Sequence, residues 1–339
     1  MQTQAKIDEI DAKILKALLK EARTSFTDLS KICKISIGAV RMRFARLKRE
    51  GIITGEIALV NPHSFGCKHI SDLGIISKID NEPEVKDFLK TKSYLSHIFG
   101  PFGKYSFLAK AVLKDTQQLA SILEDLESCQ HIKSVDSLIW VDAANIEYPE
   151  NLVIEPLSND EIVIPKALEM RYKIAKLDDT DREIARIITK SSRTPFRRIA
   201  EKLGISTKNA IQRYRRLRRE NVLTRATITV DLYKLGYNAT AYMYIKADNR
   251  SKIPEIFNQL YGIPNLIVSL RLIGTYDILV VYVLKDFNEL FTLKEKLRKI
   301  QEIQETELFL TPNVPSWPLN LFPSLLDSEQ LEPKVFEGF

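Results

Sequence analysis

The chain has 339 residues, with 50 lysines and arginines against 44 aspartates and glutamates, for a formal net charge of +6. Hydrophobic residues make up 45% of it, enough to form the cores of two or three domains. Cys33, Cys67 and Cys129 lack C-x-x-C spacing, which argues against a disulfide framework and a zinc site. The polar N-terminal segment lacks the apolar block of a signal peptide, and no stretch is long enough to span a membrane. We therefore expect a cytoplasmic protein.

An internal repeat organises the sequence. At an offset of 170 residues, Arg43 and Arg46 recur as Arg213 and Arg216. At an offset of 171 residues, the run 103–105 (Gly-Lys-Tyr) recurs as 274–276 (Gly-Thr-Tyr). Many such matches fall in the same order, so we predict a tandem duplication of one two-part unit.

The first part of each unit has the pattern of a winged helix-turn-helix. Apolar residues at helical spacing predict a first helix, and a short helix follows at 25–32 in copy one and 195–203 in copy two. A third helix buries Val40, Phe44 and Leu47 in copy one, and Ser206 caps its counterpart in copy two. The alternating segments GEIALV and RATITV then predict wing hairpins.

The second part of each unit has the order β-α-β-β-α-β, which predicts a ferredoxin-like domain. Copy one gives a strand at 72–79, a helix at 82–91, two strands around a glycine turn, a helix at 116–127 and a strand at 135–141. Copy two gives the same order between 239 and 310. One face of such a sheet is bare and apolar, so we expect it to bury against a second sheet within or between chains.

The predicted fold class is therefore α+β, with two winged helix-turn-helix domains and two ferredoxin-like βαββαβ domains in tandem. The expected boundaries are 1–66 and 67–157 for the first unit and 177–236 and 237–326 for the second. A linker at 158–176, with a short helix around 167–174, joins the units, and a mobile tail occupies 327–339.

The predicted third helix of copy two is rich in lysine and arginine, and Glu220 is the only acidic residue within 205–221. With its apolar side inward, the opposite face suits double-stranded DNA, because amides and guanidiniums match base edges and cations neutralise phosphates. We predict base-edge contacts from Thr207, Lys208, Asn209 and Gln212. We predict phosphate contacts from Arg213, Arg215, Arg216 and Arg219. The simpler alternative is a solvated helix face.

Copy one has a basic but amide-poor face at the same place. We expect Ser36, Arg41, Arg43 and Arg46 to contribute mainly phosphate contacts, or this helix to read a different half-site. Arg23 and Arg193, each just before a second helix, are further candidates for phosphate contacts; a helix-end cation is the alternative.

The recognition-helix pattern I-S-x-x-x-(V/A)-x-x-R…R-L, followed by a βαββαβ domain with Gly-x-Tyr-Asp, resembles the Lrp/AsnC family of transcription regulators. The resemblance covers nearly the whole chain twice, and the tandem form indicates an archaeal version. It implies that the second domains are RAM-type domains, which form homo-oligomers through their sheets and often bind an amino acid or related effector. It assigns effector binding to Gly274, Thr275, Tyr276 and Asp277 in copy two, and to Gly103 and Tyr105 in copy one. Ser106 replaces the acidic residue there, and a tight turn that needs glycine is the structural alternative.

Two other classes remain open. Siroheme decarboxylases are similar in architecture, and W-P-x-N-L at 317–321 resembles one of their motifs, although here it follows the last predicted strand. A sensor or scaffold that does not bind DNA is the third. The sequence contains no nucleophile–base constellation, phosphate loop or metal-ligand spacing. We therefore predict no catalytic residues, no metal and no cofactor.

Overall fold

The computed structural model describes residues 5–65, 67, 69–141, 146–157, 175–321 and 323–326. The predicted linker helix around 167–174 and the predicted mobile tail at 327–339 lie outside these residues.

Each unit begins with three helices: α1 (Glu9–Lys20), α2 (Phe26–Cys33) and α3 (Ile37–Arg49), then α6 (Asp179–Lys190), α7 (Phe196–Leu203) and α8 (Thr207–Arg219). Serine side chains fix the start of both third helices. Ser36 Oγ accepts from the amide of Ala39, and Ser206 Oγ accepts from the amide of Asn209. These N–H groups in the first turn have no carbonyl acceptor within the helix, so the serine side chains satisfy them.

The predicted wing hairpins do not form within the units. The two alternating segments form single strands, β1 (Ile53–Val60) and β6 (Leu223–Val230), which pair with each other antiparallel across the two units. Each segment is one complete strand with no turn inside it, so its hydrogen-bonding partner has to come from the other copy. Ile57 lies directly opposite Thr227, its own equivalent at the 170-residue offset, so a pseudo-twofold axis passes through this pair.

The ferredoxin-like domains form as expected. Copy one contains four strands, β2 (His69–Ser77), β3 (Leu95–Phe99), β4 (Phe107–Leu113) and β5 (Ile132–Trp140). Its two helices are α4 (Glu82–Lys90) and α5 (Thr116–Glu127). Copy two contains the strands β7 (Ala239–Ala247), β8 (Leu266–Ile273), β9 (Ile278–Leu284) and β10 (Ile303–Pro312). Its two helices are α9 (Ile253–Leu260) and α10 (Phe287–Arg298).

The two sheets pair within the chain. At one edge β5 joins β8 through Ile139 and Ile273, giving eight strands in the order β10-β7-β9-β8-β5-β2-β4-β3. At the other edge Phe102 bridges Leu310, the equivalent contact at the 171-residue offset. Of the two arrangements that the sequence left open, the structure has pairing within one chain, because the duplication supplies both partners.

Aromatic side chains pack against one another in part of the space between the sheets. Tyr105 stacks on Phe309 with ring centroids 5.0 Å apart, and Tyr244 meets the same Phe309 ring edge-on at 5.3 Å. The opposite sheet faces bury separate cores under their helices, around Leu89 and Leu126 in copy one and around Ile256 and Leu293 in copy two.

Candidate nucleic-acid interface

Two arginines fasten the helix-turn-helix units together. Arg23 donates to the carbonyls of Ser192 and Thr194 in the other unit, and its guanidinium lies 4.0 Å from the centre of the Phe196 ring. Arg193 donates in return to Ala22 and to Thr24, at 3.0 Å for the latter. Burial lowers the pKa of both guanidiniums.

The phosphate role assigned to Arg23 and Arg193 therefore does not fit the structure. Their donors point into the interface between the units, where backbone carbonyls accept them.

Each unit also has two arginines on its third helix that form salt bridges with aspartates. Arg213 donates to Asp178 and Asp181 at 2.7 and 2.9 Å, and Arg216 also donates to the fully buried Asp181. The hydrogen bond from Arg213 holds the pKa of Asp178 below its ordinary value. These contacts tie α8 to the start of α6.

Copy one repeats this network, with Arg43 on Asp8 and Asp11 and Arg46 on Asp11. The four arginines predicted to contact phosphates at 43, 46, 213 and 216 thus fasten the third helices to the first helices. The acidic first turns were visible in the sequence, but the sequence pattern did not show that they lie against the third helix.

The outer face of α8 remains exposed. Thr207, Lys208, Gln212 and Arg215 all lie on the surface, and the Arg219 side chain is 74% exposed. Among the described residues, Lys208 and Arg215 form no salt bridge. Asn209 is half-buried and its Oδ1 accepts from Nε of Arg213, which leaves only its amide N–H groups for a base edge.

Two more exposed arginines were missed by sequence reasoning. Arg197 and Arg198 are consecutive on α7, the helix before α8, and both are exposed. Their adjacency in the sequence was the available signal.

The glycine turns proposed for effector binding serve the contact between the sheets. A Cβ on Gly274 (φ +152°) would lie 2.7 Å from the carbonyl oxygen of Ser137. A Cβ on Gly103 (φ +157°) would lie 2.5 Å from the Phe309 ring. Both glycines let one sheet approach the other closely, which favours the structural alternative stated for this turn.

The acidic residue after the second turn is also used internally. Asp277 accepts from the amide of Ala247 at 3.1 Å and from Arg250 Nε at 2.8 Å, and it is almost fully buried. Ser106 takes its place in copy one and accepts from the equivalent amide, that of Ser77, at 3.1 Å. Tyr276 is buried against Tyr244, and Thr275 is exposed on the turn.

A large cavity of about 1400 Å³ lies between the paired sheets and is lined by residues of both copies. Its wall combines the turn at 97–107 with β7, the end of β10 and the segment 311–321. Trp140 and Tyr242 supply aromatic surface, and Lys110, His97 and Glu147 supply polar groups. Burial raises the pKa of Glu147 to about 8, so this carboxyl is mostly neutral at pH 7. Tyr105, from the predicted effector set, lines the cavity and donates to Asp136 at 2.7 Å.

Within the described ranges, no cluster of three potential metal ligands is present. No helix among the same residues has the length and apolar character that crossing a bilayer requires.

The comparisons with known proteins match both helix-turn-helix units. Residues 7–54 match a family of winged helix-turn-helix DNA-binding domains, and residues 177–218 match the AsnC-type helix-turn-helix domain. The transcriptional regulator Ptr1 of Methanocaldococcus jannaschii is 35% identical over 119 residues, which is 35% of this chain and 80% of that protein. The regulatory protein AsnC of Escherichia coli is 30% identical over 135 residues, 39% of this chain and 89% of that protein.

Solved structures of a siroheme decarboxylase cover both units. The siroheme decarboxylase NirDL matches 94% of this chain and 96% of its own, with a TM-score of 0.63 at 14% identity, a likeness that concerns the fold. The relatives matched in sequence each correspond in length to one of the two units found here. From these sequence matches and the paired helix-turn-helix and RAM-type domains, the chain belongs to the Lrp/AsnC family of regulators, in a tandem form.

Proposed function

We propose that this protein is a cytoplasmic transcription regulator that binds a specific double-stranded DNA sequence through α3 and α8. The observation that carries the proposal is the exposed face of α8. There Lys208 and Arg215 form no salt bridge with any described residue, while Arg213 and Arg216 hold the helix in place. The pseudo-twofold axis gives α3 the equivalent position, as a DNA duplex with two half-sites requires.

Within this proposal the residues have separate roles. Thr207, Lys208 and Gln212, near the start of α8, contact base edges, where hydroxyl, ammonium and amide groups can discriminate bases. Arg215 and Arg219 contact phosphates. Arg213 and Arg216 position α8, and Arg23 with Arg193 sets the geometry between the two helices.

The test begins with selection of bound sequences from a random duplex library, followed by affinity measurements on a selected duplex between 50 and 200 mM salt. Arg215→Ala should lower affinity on all sequences and reduce the slope of log affinity against log salt by about 0.9, the loss of one phosphate contact. Gln212→Ala should instead relax the selected sequence, at a cost of roughly 1–3 kcal/mol for a bidentate contact.

Arg193→Ala is the matched control, because it removes an arginine from the interface between units. It should reduce thermal stability while leaving the salt slope unchanged. Failure to select any sequence, or a wild-type affinity independent of salt, would contradict the proposal.

We further propose that a small effector binds in the cavity between the sheets and shifts DNA affinity by favouring one arrangement of the two units. The cavity is larger than an amino acid requires, since typical ligand pockets measure about 300–1000 Å³. Thermal-shift screening with amino acids and then larger metabolites would identify the ligand class, and a ligand that stabilises the protein without changing DNA affinity would argue against regulation.

The same cavity supports a second candidate function, binding of a tetrapyrrole as in a siroheme decarboxylase. Its volume suits a ligand of that size, and the aromatic surface of Trp140 and Tyr242 suits a flat molecule. Lys110, beside Trp140, is paired with the buried Asp72 at 2.6 Å. Incubation with siroheme tests this function. A bound chromophore together with a product that has lost carboxyl groups as CO2 would favour decarboxylase activity. An unchanged absorbance spectrum would exclude tetrapyrrole binding.

A further inference from the structure

The two recognition helices present different chemistry at equivalent positions. Where α8 carries Thr207, Lys208, Gln212 and Arg215, the 170-residue offset places Ile37, Gly38, Met42 and Ala45 on α3. These four polar or charged side chains are thus replaced by apolar residues or by glycine, while Arg219 keeps a charged counterpart in Arg49.

These apolar residues are exposed. The Met42 residue is 71% exposed and Ile37 is 39% exposed, and Gly38 and Ala45 also lie on the surface. A Cβ at Gly38 would meet only the Ser36 side chain, at 3.9 Å, so the start of α3 has open space where Lys208 projects from α8. A ligand can therefore approach the backbone of α3 more closely than that of α8.

Positive charge surrounds this apolar strip. Lys34, Arg41 and Arg49 are exposed around it, and none of the three forms a salt bridge with a described residue. An apolar strip within a rim of free cations fits a polyanion that carries apolar groups. In the major groove, the C5 methyl of thymine is the apolar group displayed among polar base edges.

We propose that α3 reads a thymine-rich half-site through methyl contacts of Ile37 and Met42, while α8 reads the other half-site through hydrogen bonds. This inference rests on the proposed DNA-binding function. The selected DNA site is then asymmetric although the protein is pseudo-symmetric.

Thymine-to-uracil replacement tests the inference, because uracil pairs as thymine does but lacks the methyl group. Each thymine of a selected duplex is replaced singly, and affinity is measured for the wild-type full chain, Met42→Ala and Gln212→Ala. Position 42 is the 170-residue equivalent of position 212, so the two variants are matched. Because Met42 is exposed, Met42→Ala should fold like the wild type, and circular dichroism of the variant checks this.

We expect uracil to weaken wild-type binding about three- to fivefold at one or more positions in a single half-site, the effect of one buried methyl group. Met42→Ala should remove that penalty, whereas Gln212→Ala should retain it. Specific binding without any uracil penalty, or with the same penalty in Met42→Ala, overturns the inference and leaves DNA binding intact. Loss of self-association in Met42→Ala with unchanged DNA affinity would identify the strip as a contact between copies and also overturn it. Absence of any selected sequence overturns both proposals.

Discussion

Arg213 and Arg215 are two residues apart on one helix, yet their surroundings differ completely. Arg213 points back to Asp178 and Asp181 and is 25% exposed, whereas Arg215 lies on the open surface. Two residues along a helix correspond to a rotation of about 200°, enough to move a side chain from the packed side to solvent. The charge of an arginine in a basic stretch therefore says little about its role until the residues facing it are known.

At the same scale, Glu147 gives a prediction about pH. Burial raises its pKa from 4.5 to about 8, opposed by the positive charge of Arg225. The stabilising contribution of the neutral carboxyl is complete below the unfolded value and is lost as pH rises through the folded value. Relative to Glu147→Gln, the wild-type free energy of unfolding should therefore fall between pH 5 and 8, by at most about 1.4 kcal/mol per pH unit.

Urea unfolding of both proteins at four pH values measures this difference. The glutamine side chain has nearly the same shape as glutamate but does not titrate, so Glu147→Gln is the control for the wild-type protein. Parallel stability curves would show that Glu147 stays ionised in the folded protein.

At the scale of elements, the turn between β8 and β9 depends on its glycine. Gly274 has φ +152°, and its Cα faces the backbone of β5, where Ser137 and Leu138 leave no room for a side chain. The pseudo-symmetric turn at Gly103 meets Leu308 and Phe309 of β10. The two sheets can close along both edges because neither turn carries a Cβ.

Gly274→Ala should destabilise the protein by about 3 kcal/mol or more, since it adds backbone strain and overlaps a carbonyl. Gly204→Ala is the control, because that residue has φ +64° with no atom within 4 Å of the added Cβ. It should cost only about 1 kcal/mol. Thermal melts of the two variants compare these costs, and equal melting temperatures would contradict the role given to Gly274.

The elements could be predicted from the sequence where one segment carries its own signal. The helix at 116–127 was predicted with the observed bounds, because apolar spacing and the flanking residues mark both ends. The segment at 225–230 was correctly predicted to be extended, but it was assigned to a wing hairpin of its own unit, whereas its partner lies in the other repeat. The arginines at 43, 46, 213 and 216 were misassigned for the same reason, because Asp11 and Asp181 face them only after folding.

At the scale of the whole molecule, the interface between units fixes the distance between the recognition helices. The β1–β6 pair and the reciprocal contacts of Arg23 and Arg193 leave little freedom between the two helix-turn-helix units. Half-sites should therefore lie about one helical turn of DNA apart, or a multiple of it.

Inserting 5 base pairs between the selected half-sites turns one half-site to the opposite side of the duplex. We expect the 5-base-pair insertion to lower DNA affinity by at least about tenfold. Insertion of 10 base pairs returns the half-site to the original side of the duplex, so affinity should recover in part if the DNA bends to bring the half-sites together. Quantitative gel shifts on the three duplexes measure the effect. Equal affinity for all three would mean that one helix accounts for the binding.

The sheets that bury their faces on each other belong to one covalent chain, and this has a consequence for regulation. Two separate subunits come apart when a cell holds few copies of them, and a regulator can exploit that loss. Here dilution cannot separate the halves, since each is tethered beside the other at a fixed high effective concentration. A signal that acts on this pairing has to change the shape of the protein or its hold on DNA, because both halves stay on one chain.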